Sequence, residues 1–196
     1  LFRYAKALLR NGKPKETLEV LKNIWVLPYE HASESKTIYN EAHYALILEH
    51  LKEKEFDHAL NLLTEVRIWP ENLGVGKPFE ADERLEDYTA AFIFRTLEQQ
   101  EKSTSALEAI LAFKDGQGEY LGTNLVFRLL SLKLTGNETE LKQALAQYRN
   151  NENLNQATQL GVTLYFKNST HPFSDMAYLN TNAFALLLYV INQPFN

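Results

Sequence analysis

Apolar side chains recur along the chain with the spacing of an amphipathic helix, and one short pattern occurs four times. A small residue is followed by Leu and then by an apolar residue four positions after the small one. This spacing places the side chains on one helical face. The four patterns begin at Thr17, Ala59, Ala106 and Ala144. We expect each small residue to lie where two helices cross closely, because a larger side chain would force the helices apart.

Each pattern is preceded by a break and by a further segment of helical periodicity. The first break is Asn11-Gly12-Lys13-Pro14, where Gly suits the left-handed end of one helix and Pro the first turn of the next. The other breaks lie near Lys52–Glu55, Gln100–Ser103 and Gly136-Asn137. The chain is therefore predicted to form five helix pairs. The first three are roughly Leu1–Arg10 with Pro14–Val26, Lys36–Leu51 with Phe56–Ile68, and Asp82–Gln99 with Thr104–Lys114. The last two are roughly Thr123–Thr135 with Glu138–Arg149, and Glu152–Phe166 with Ser174–Asn192.

Composition agrees with an all-α fold. The 196 residues are 45% apolar, which allows one ordinary domain with a substantial core over residues 1–196. Only 8 Gly and 6 Pro are present, fewer turn residues than a β-sandwich of this length needs. Because the helical pattern is already under way at Leu1, we expect this chain to be a fragment of a longer protein.

Charge and residue usage exclude several classes of partner and site. The chain has no Cys, which excludes disulfides, thiolate metal sites and a Cys nucleophile. A net charge of −5 argues against nucleic acid, which needs a clustered basic surface. The longest apolar run, Ala183 to Ile191, has nine residues, whereas a membrane-spanning helix needs about twenty. No cofactor is predicted, and the sequence does not indicate a compartment.

The repeated pattern resembles the tetratricopeptide repeat. The segment from Phe56-Asp57-His58-Ala59-Leu60 to Trp69-Pro70 is the closest match, the segment from Gly12 to Leu27-Pro28 is next, and Leu160-Gly161 fits the Leu-Gly pair of a first helix. The family repeat is about 34 residues, whereas the small residues here are 42, 47 and 38 apart. The resemblance implies a right-handed α-solenoid of about five antiparallel hairpins that binds a protein or peptide segment on its concave face.

A second resemblance concerns the segment from Arg67 to Pro78, which is similar to one in large bacterial proteins that carry a β-rich, carbohydrate-related domain of unknown function. This resemblance implies that the chain is a tetratricopeptide-like tail and that any chemistry belongs to an upstream domain.

Three groups of residues suggest chemistry, and each has a structural explanation. Gly74-Val75-Gly76-Lys77 lacks the Gly and the Ser or Thr of a phosphate loop, and Pro78 removes an N–H, so we expect an ordinary loop. His43, His50 and His58 come from one predicted helix pair, but His43 and His50 are two helical turns apart, too far to share a metal without other ligands, so we expect interior or surface histidines. The acidic residues from Asp82 to Asp87 suit the first turns of a helix. We therefore predict no catalytic, metal or cofactor site, and we consider an (α/α)-barrel glycosidase only as the nearest enzyme class.

The predicted binding surface is a basic groove on the first helices of the pairs. Cations on successive inner helices would focus a field suited to an acidic segment or a terminal carboxylate, although solvated surface charges balanced by nearby Glu are the alternative. The groove residues are Lys6, Arg10, Glu41, Tyr44, Lys52, Tyr88, Arg95 and Gln99.

The last helix carries a second predicted interface. It is apolar all round, whereas the outer helix of a solenoid should have a polar face, so we expect extra residues, a second copy of the chain or an upstream domain to cover it. The alternative is a terminus packed into its own last repeats. The interface residues are Phe184, Leu187, Tyr189 and Val190. The function expected is a protein-interaction or scaffold module. The alternative is a structural tail that packs against, or dimerises, an upstream domain.

Overall fold

The described residues are almost entirely helical. The computed structural model describes residues 1–28, 33–113, 122–149, 156–166 and 181–195. In these ranges there are ten α-helices, no β-strand, and two short 3-10 turns at Glu71–Leu73 and Gly122–Asn124. The helices are α1 (Phe2–Arg10), α2 (Pro14–Lys22), α3 (Glu34–Lys52), α4 (Phe56–Val66), α5 (Arg84–Thr96), α6 (Gln100–Ala112), α7 (Leu125–Leu134), α8 (Glu138–Arg149), α9 (Gln156–Phe166) and α10 (Asn182–Ile191).

The all-α prediction is confirmed. The predicted loop Asp115–Gly122 lies almost wholly outside the described residues, as do the predicted helix starts at Glu152 and Ser174. None of the helices in the described ranges is both long and apolar enough to cross a membrane.

One turn geometry joins α1 to α2, α3 to α4, α5 to α6 and α7 to α8. In each turn one residue has a positive φ, namely Gly12, Lys54, Glu98 or Gly136. The backbone N–H of the following residue then donates to the carbonyl five positions before it: Lys13 to Leu8, Glu55 to His50, Gln99 to Phe94 and Asn137 to Leu132, at 2.8–3.0 Å. These bonds satisfy carbonyls that the end of a helix leaves free. Each of the four helix pairs is packed together.

The shared turns align the helix pairs and correct part of the predicted register. Thr17 and Ala59, both fully buried, stand four residues after the N-cap of α2 and α4. In α6 the equivalent residue is Ser103, which is fully buried and donates to the Ala91 carbonyl at 2.9 Å. The predicted crossing at Ala106 is wrong, since that residue is partly exposed and lies almost one helical turn further along.

The chain divides into two compact units. The first comprises Leu1–Lys77 and Met176–Pro194, and the second comprises Pro78–Asp175 and Phe195–Asn196. In the first unit α3 is the central helix, because α1, α2, α4 and α10 all pack against it. Its core includes Ala5, Leu21, Ile24, Ile38 and Leu73.

The second unit is organised around α7, which contacts α5, α6, α8 and α9. Its side chains Leu125, Val126, Phe127 and Leu129 are fully buried. The sequence pairs α9 with α10 as a fifth helix pair. Among the described residues α9 instead packs on α7, and α10 packs on α3.

Candidate partner-binding surface

One predicted groove residue, Glu41, lies at the start of α10 in the first unit, and a second, Tyr44, lies on α3. The Glu41 carboxylate accepts the backbone N–H groups of Asn182 at 2.5 Å and Ala183 at 3.3 Å, while the Thr181 hydroxyl oxygen accepts that of Phe184. These acceptors satisfy N–H groups that the start of a helix leaves free. Burial raises the pKa of Glu41, and the two backbone donors act in the opposite direction. Tyr44 is buried in the same helix.

The three cations predicted for the groove in the first unit lie at exposed or half-exposed positions. Lys6 forms an ion pair with Glu34 at the start of α3. Arg10 stands in the last turn of α1 and Lys52 in the last turn of α3, and both are exposed. Basic side chains in the last turn of a helix are favoured by the helix dipole, which explains these two without a ligand.

The second unit contains the remaining groove residues, two of which lie beside Phe195. Tyr88 is buried, and its ring centroid lies 5.0 Å from that of Phe127 and 5.3 Å from that of Phe195. The Arg95 guanidinium carbon lies 5.9 Å from the Phe195 ring centroid. Gln99 is the exposed N-cap residue of α6 and accepts a hydrogen bond from Lys102. Burial raises the pKa of Tyr88 above its ordinary value.

The predicted interface helix, α10, contributes to the core of the first unit. Phe184, Leu187 and Val190 are buried, and the Tyr189 hydroxyl donates to the Leu51 carbonyl at 3.2 Å. The face that the sequence left without a neighbour is thus packed against α3, which lies about 140 residues earlier in the chain.

A cleft that the sequence analysis did not identify opens beside α2, α3 and α4. Its volume is about 250 Å³, and its apolar lining includes Leu18, Leu21, Pro70 and Leu73. Its polar lining includes Asn72, whose side-chain amide donates to the carbonyls of Leu21 and Ile24, both at 2.8 Å. These hydrogen bonds join the end of α2 to the 3-10 turn at Glu71–Leu73, which both contribute residues to the cleft.

The 3-10 turn depends on a glycine. Gly74 follows it with φ 66°, and a Cβ atom there would lie 2.4 Å from the Val26 carbonyl oxygen. The expectation that Gly74 serves an ordinary loop is confirmed, because both its backbone conformation and the close approach of residues 26–28 require glycine.

The polar residues beside this cleft form a connected network on α3 and α4. Lys36 is buried and donates to the carbonyls of Val66 and Ile68, both at 2.6 Å. His43, also buried, lies 2.8 Å from the Tyr39 carbonyl and 3.4 Å from the Glu65 carboxylate. Burial lowers the pKa of His43 and raises that of Tyr39 to about 12. Because Lys36 donates to carbonyls at the end of α4, its role is structural: it caps that helix.

Two large apolar side chains are exposed on the segment that borders the cleft. Trp25 is 81% exposed and Leu27 is 84% exposed, while Ile24 between α2 and Trp25 is buried. The backbone N–H of Val26 donates to the Asn72 carbonyl at 2.8 Å, which fixes the segment. Trp69 is partly buried, with the Lys36 ammonium 4.9 Å from its ring centroid.

The acidic residues before α5 do not form a pair of free carboxylates. Asp82 accepts two hydrogen bonds from the Arg84 guanidinium, both at 2.8 Å, and the two side chains are 2% and 1% exposed. The guanidinium carbon also lies 4.5 Å from the centroid of the Phe113 ring. Glu86 and Asp87 occupy the first turn of α5, as the sequence predicts.

Comparison with protein-family models, with curated proteins and with solved structures finds no match for this chain.

Proposed function

We propose that this chain is a helical-repeat module, of the tetratricopeptide-like kind, that binds a protein or peptide segment. The four equivalent turns and the helix pairs that they join support the repeat. Repeat proteins of this type commonly serve as binding surfaces for other chains.

The observation that carries the proposal is the exposed pair Trp25 and Leu27 on a segment whose backbone is hydrogen-bonded to Asn72, one of the residues that line the apolar cleft. Aromatic anchors and pockets that accept an apolar side chain are typical of interaction hot spots. The segment that carries Trp25 and Leu27 is held in place by Asn72 before any partner binds, so little ordering cost is expected on association. We propose that a partner inserts an apolar side chain into the cleft and packs beside Trp25.

This location differs from the basic groove expected from the sequence. Glu41 is engaged at the start of α10, and Lys6 is paired with Glu34. The cleft carries Lys22 and Glu65 among its lining residues, one charge of each sign. The ligand favoured here is therefore an apolar segment with mixed flanking charges rather than an acidic one.

Selection from a displayed peptide library tests the proposal. Peptides selected on the parent chain are expected to bind at least about thirtyfold more weakly to the double variant Trp25→Ser plus Leu27→Ser. Because both side chains are largely exposed, the variant should keep the melting temperature of the parent.

Phe79→Ser is the matched control, since Phe79 is fully exposed but belongs to the second unit. Equal binding by parent and double variant would refute the cleft as the binding surface. Failure to select any peptide with an apolar anchor would refute the proposed ligand class.

A second candidate function is packing against a further domain or a second copy. Leu1, the N-cap residue of α1, and Tyr4 in its first turn are both largely exposed, and exposed apolar side chains that lie together favour a neighbour. Light scattering of the parent and of Tyr4→Ser tests whether a second copy of the chain packs here. A parent dimer that becomes a monomer on substitution would support dimerisation through this surface, and a monomer in both proteins would reject it.

A further inference from the structure

The turn between α3 and α4 differs from the three equivalent turns at the residue whose carbonyl accepts the turn's hydrogen bond. The residue whose carbonyl accepts the turn's hydrogen bond is Leu8 in the first turn, Phe94 in the third and Leu132 in the fourth. All three are apolar and at least partly buried. In the second turn this position holds His50 instead, with a side chain that is 17% exposed. Apolar packing therefore does not account for the residue chosen here.

Two further residues of this turn bring metal-binding atoms to His50. Glu55 is the N-cap residue of α4, and His58 stands three positions later, in the first turn of the same helix. Glu55 Oε2 lies 2.6 Å from His50 Nδ1 and 3.5 Å from His58 Nδ1. The ligand atoms of the three residues all lie within 4.8 Å of one another.

The other turns show what this arrangement adds to an ordinary surface turn. A polar pair at the N-cap and third helical positions recurs, as Lys13 with Glu16 and as Gln99 with Lys102. Each of those pairs contains a lysine, which does not serve as a metal ligand at neutral pH. Only the second turn, among those described, combines two imidazoles and a carboxylate.

We propose that His50, Glu55 and His58 bind a zinc ion, with water completing the coordination. Imidazole nitrogen and carboxylate oxygen are established ligands of Zn²⁺ at about 2.0–2.2 Å. Tetrahedral geometry at these bond lengths places the ligand atoms about 3.3 Å apart. The present separations of 2.6 Å and 3.5 Å from Glu55, and of at most 4.8 Å within the group, lie on both sides of that value. Binding therefore requires side-chain rotations that open the contact between His50 and Glu55 and bring the most widely separated ligand atoms closer together.

The backbone already fixes the positions from which the three ligands extend. The hydrogen bond from the Glu55 N–H to the His50 carbonyl measures 2.8 Å, and the helical geometry of α4 sets the distance from Glu55 to His58. A bound ion would link the end of α3 to the start of α4 and stabilise the first unit, since a ligand that binds only the folded state raises its stability.

Calorimetric titration of the full chain with zinc chloride tests the site. The parent is expected to bind one ion in this turn, and both His58→Ala and Glu55→Gln should weaken that binding by at least about tenfold, as loss of metal-supporting groups does. His58 is 68% exposed, so its removal should leave the fold intact. Magnesium chloride should give no binding at this site, because nitrogen ligands disfavour that ion.

Glu53→Gln is the matched control, because Glu53 is an exposed carboxylate in the same turn and is not one of the three ligands. This variant should retain the parent affinity and the zinc-dependent rise in melting temperature. All variants keep the other histidines of the chain, so differences from the parent report on this turn alone. The site would be overturned if the parent bound no zinc at millimolar concentration, or if His58→Ala and Glu55→Gln bound it as the parent does.

Discussion

The close helix crossing at Ala59 provides a quantitative test of the repeat register. Ala59 is fully buried and stands four residues after the N-cap of α4, as Ser103 does in α6. The Ser103 hydroxyl lies 2.9 Å from the Ala91 carbonyl oxygen, twelve residues earlier. A side chain at this position therefore has room for one atom beyond Cβ before it meets the backbone of the preceding helix.

The change Ala59→Leu adds three carbon atoms at such a crossing. By the same spacing we expect Ala59 to face Ile47, and because neither residue has exposed surface, the added atoms have no direct path to solvent. Overpacking of this kind costs about 1–3 kcal/mol of the free energy of unfolding. For a chain of this length, each kcal/mol lowers the melting temperature by roughly 2–4 °C.

Urea and thermal unfolding followed by circular dichroism measure the effect. Ala106→Leu is the matched control, because Ala106 stands at the crossing expected from sequence but is partly exposed in α6. It should change the free energy of unfolding by no more than about 0.5 kcal/mol. Equal losses in the two variants would refute the structural register, and no loss in Ala59→Leu would refute a close crossing in the second helix pair.

Three further predictions concern buried polar groups and a constrained turn. Glu41→Ala should destabilise the chain by about 1–2 kcal/mol, because two N–H groups at the start of α10 lose their acceptor, whereas Glu41→Gln should cost less. Because burial raises the pKa of Glu41 in the folded protein, folding favours its protonated form, so the stability of the parent relative to Glu41→Gln should increase as pH falls from neutral toward about 4. Asp82→Asn should cost at least about 3 kcal/mol in urea unfolding, since it removes the carboxylate that binds a buried guanidinium. Gly74→Ala should lower the free energy of unfolding by about 1–2 kcal/mol and with it the melting temperature. Gly76→Ala should leave both unchanged.

Each of these predictions has a result that contradicts it. A pH-independent difference between the parent and Glu41→Gln would show that Glu41 is not buried against α10. The double variant Asp82→Leu plus Arg84→Met should recover much of the stability lost in Asp82→Asn, and a further loss would contradict the attribution of that cost to the buried Arg84 charge. Equal melting of the Gly74→Ala and Gly76→Ala variants would contradict the close approach at Val26.

The helices and the turns between them could be predicted because their signals are local. Gly12 with Pro14 marks the first turn, and an apolar face at spacings of three and four marks each helix. Lys54 and Glu98 adopt positive φ without being glycine. The break at Lys52–Glu55 was visible as a polar interruption of the apolar pattern, whereas the third break, predicted at Gln100–Ser103, was placed too late, because those residues form the first turn of α6. The register of α6 failed because Ala106 and Ser103 lie almost one turn apart on nearly the same face, and both are small.

The sequence by itself determined an all-helical chain of repeated helix pairs, since helix formation and capping depend on residues within one or two turns of one another. Only the tertiary structure decided which surfaces remain available. The docking of α10 on α3 joins residues about 140 positions apart, and no periodic pattern encodes such a pairing. The docking of α10 on α3 places Glu41 at the start of a helix rather than in an open groove. The exposure of Trp25 and the convergence of His50 with Glu55 and His58 likewise follow from chain reversals, whose geometry fixes which side chains meet.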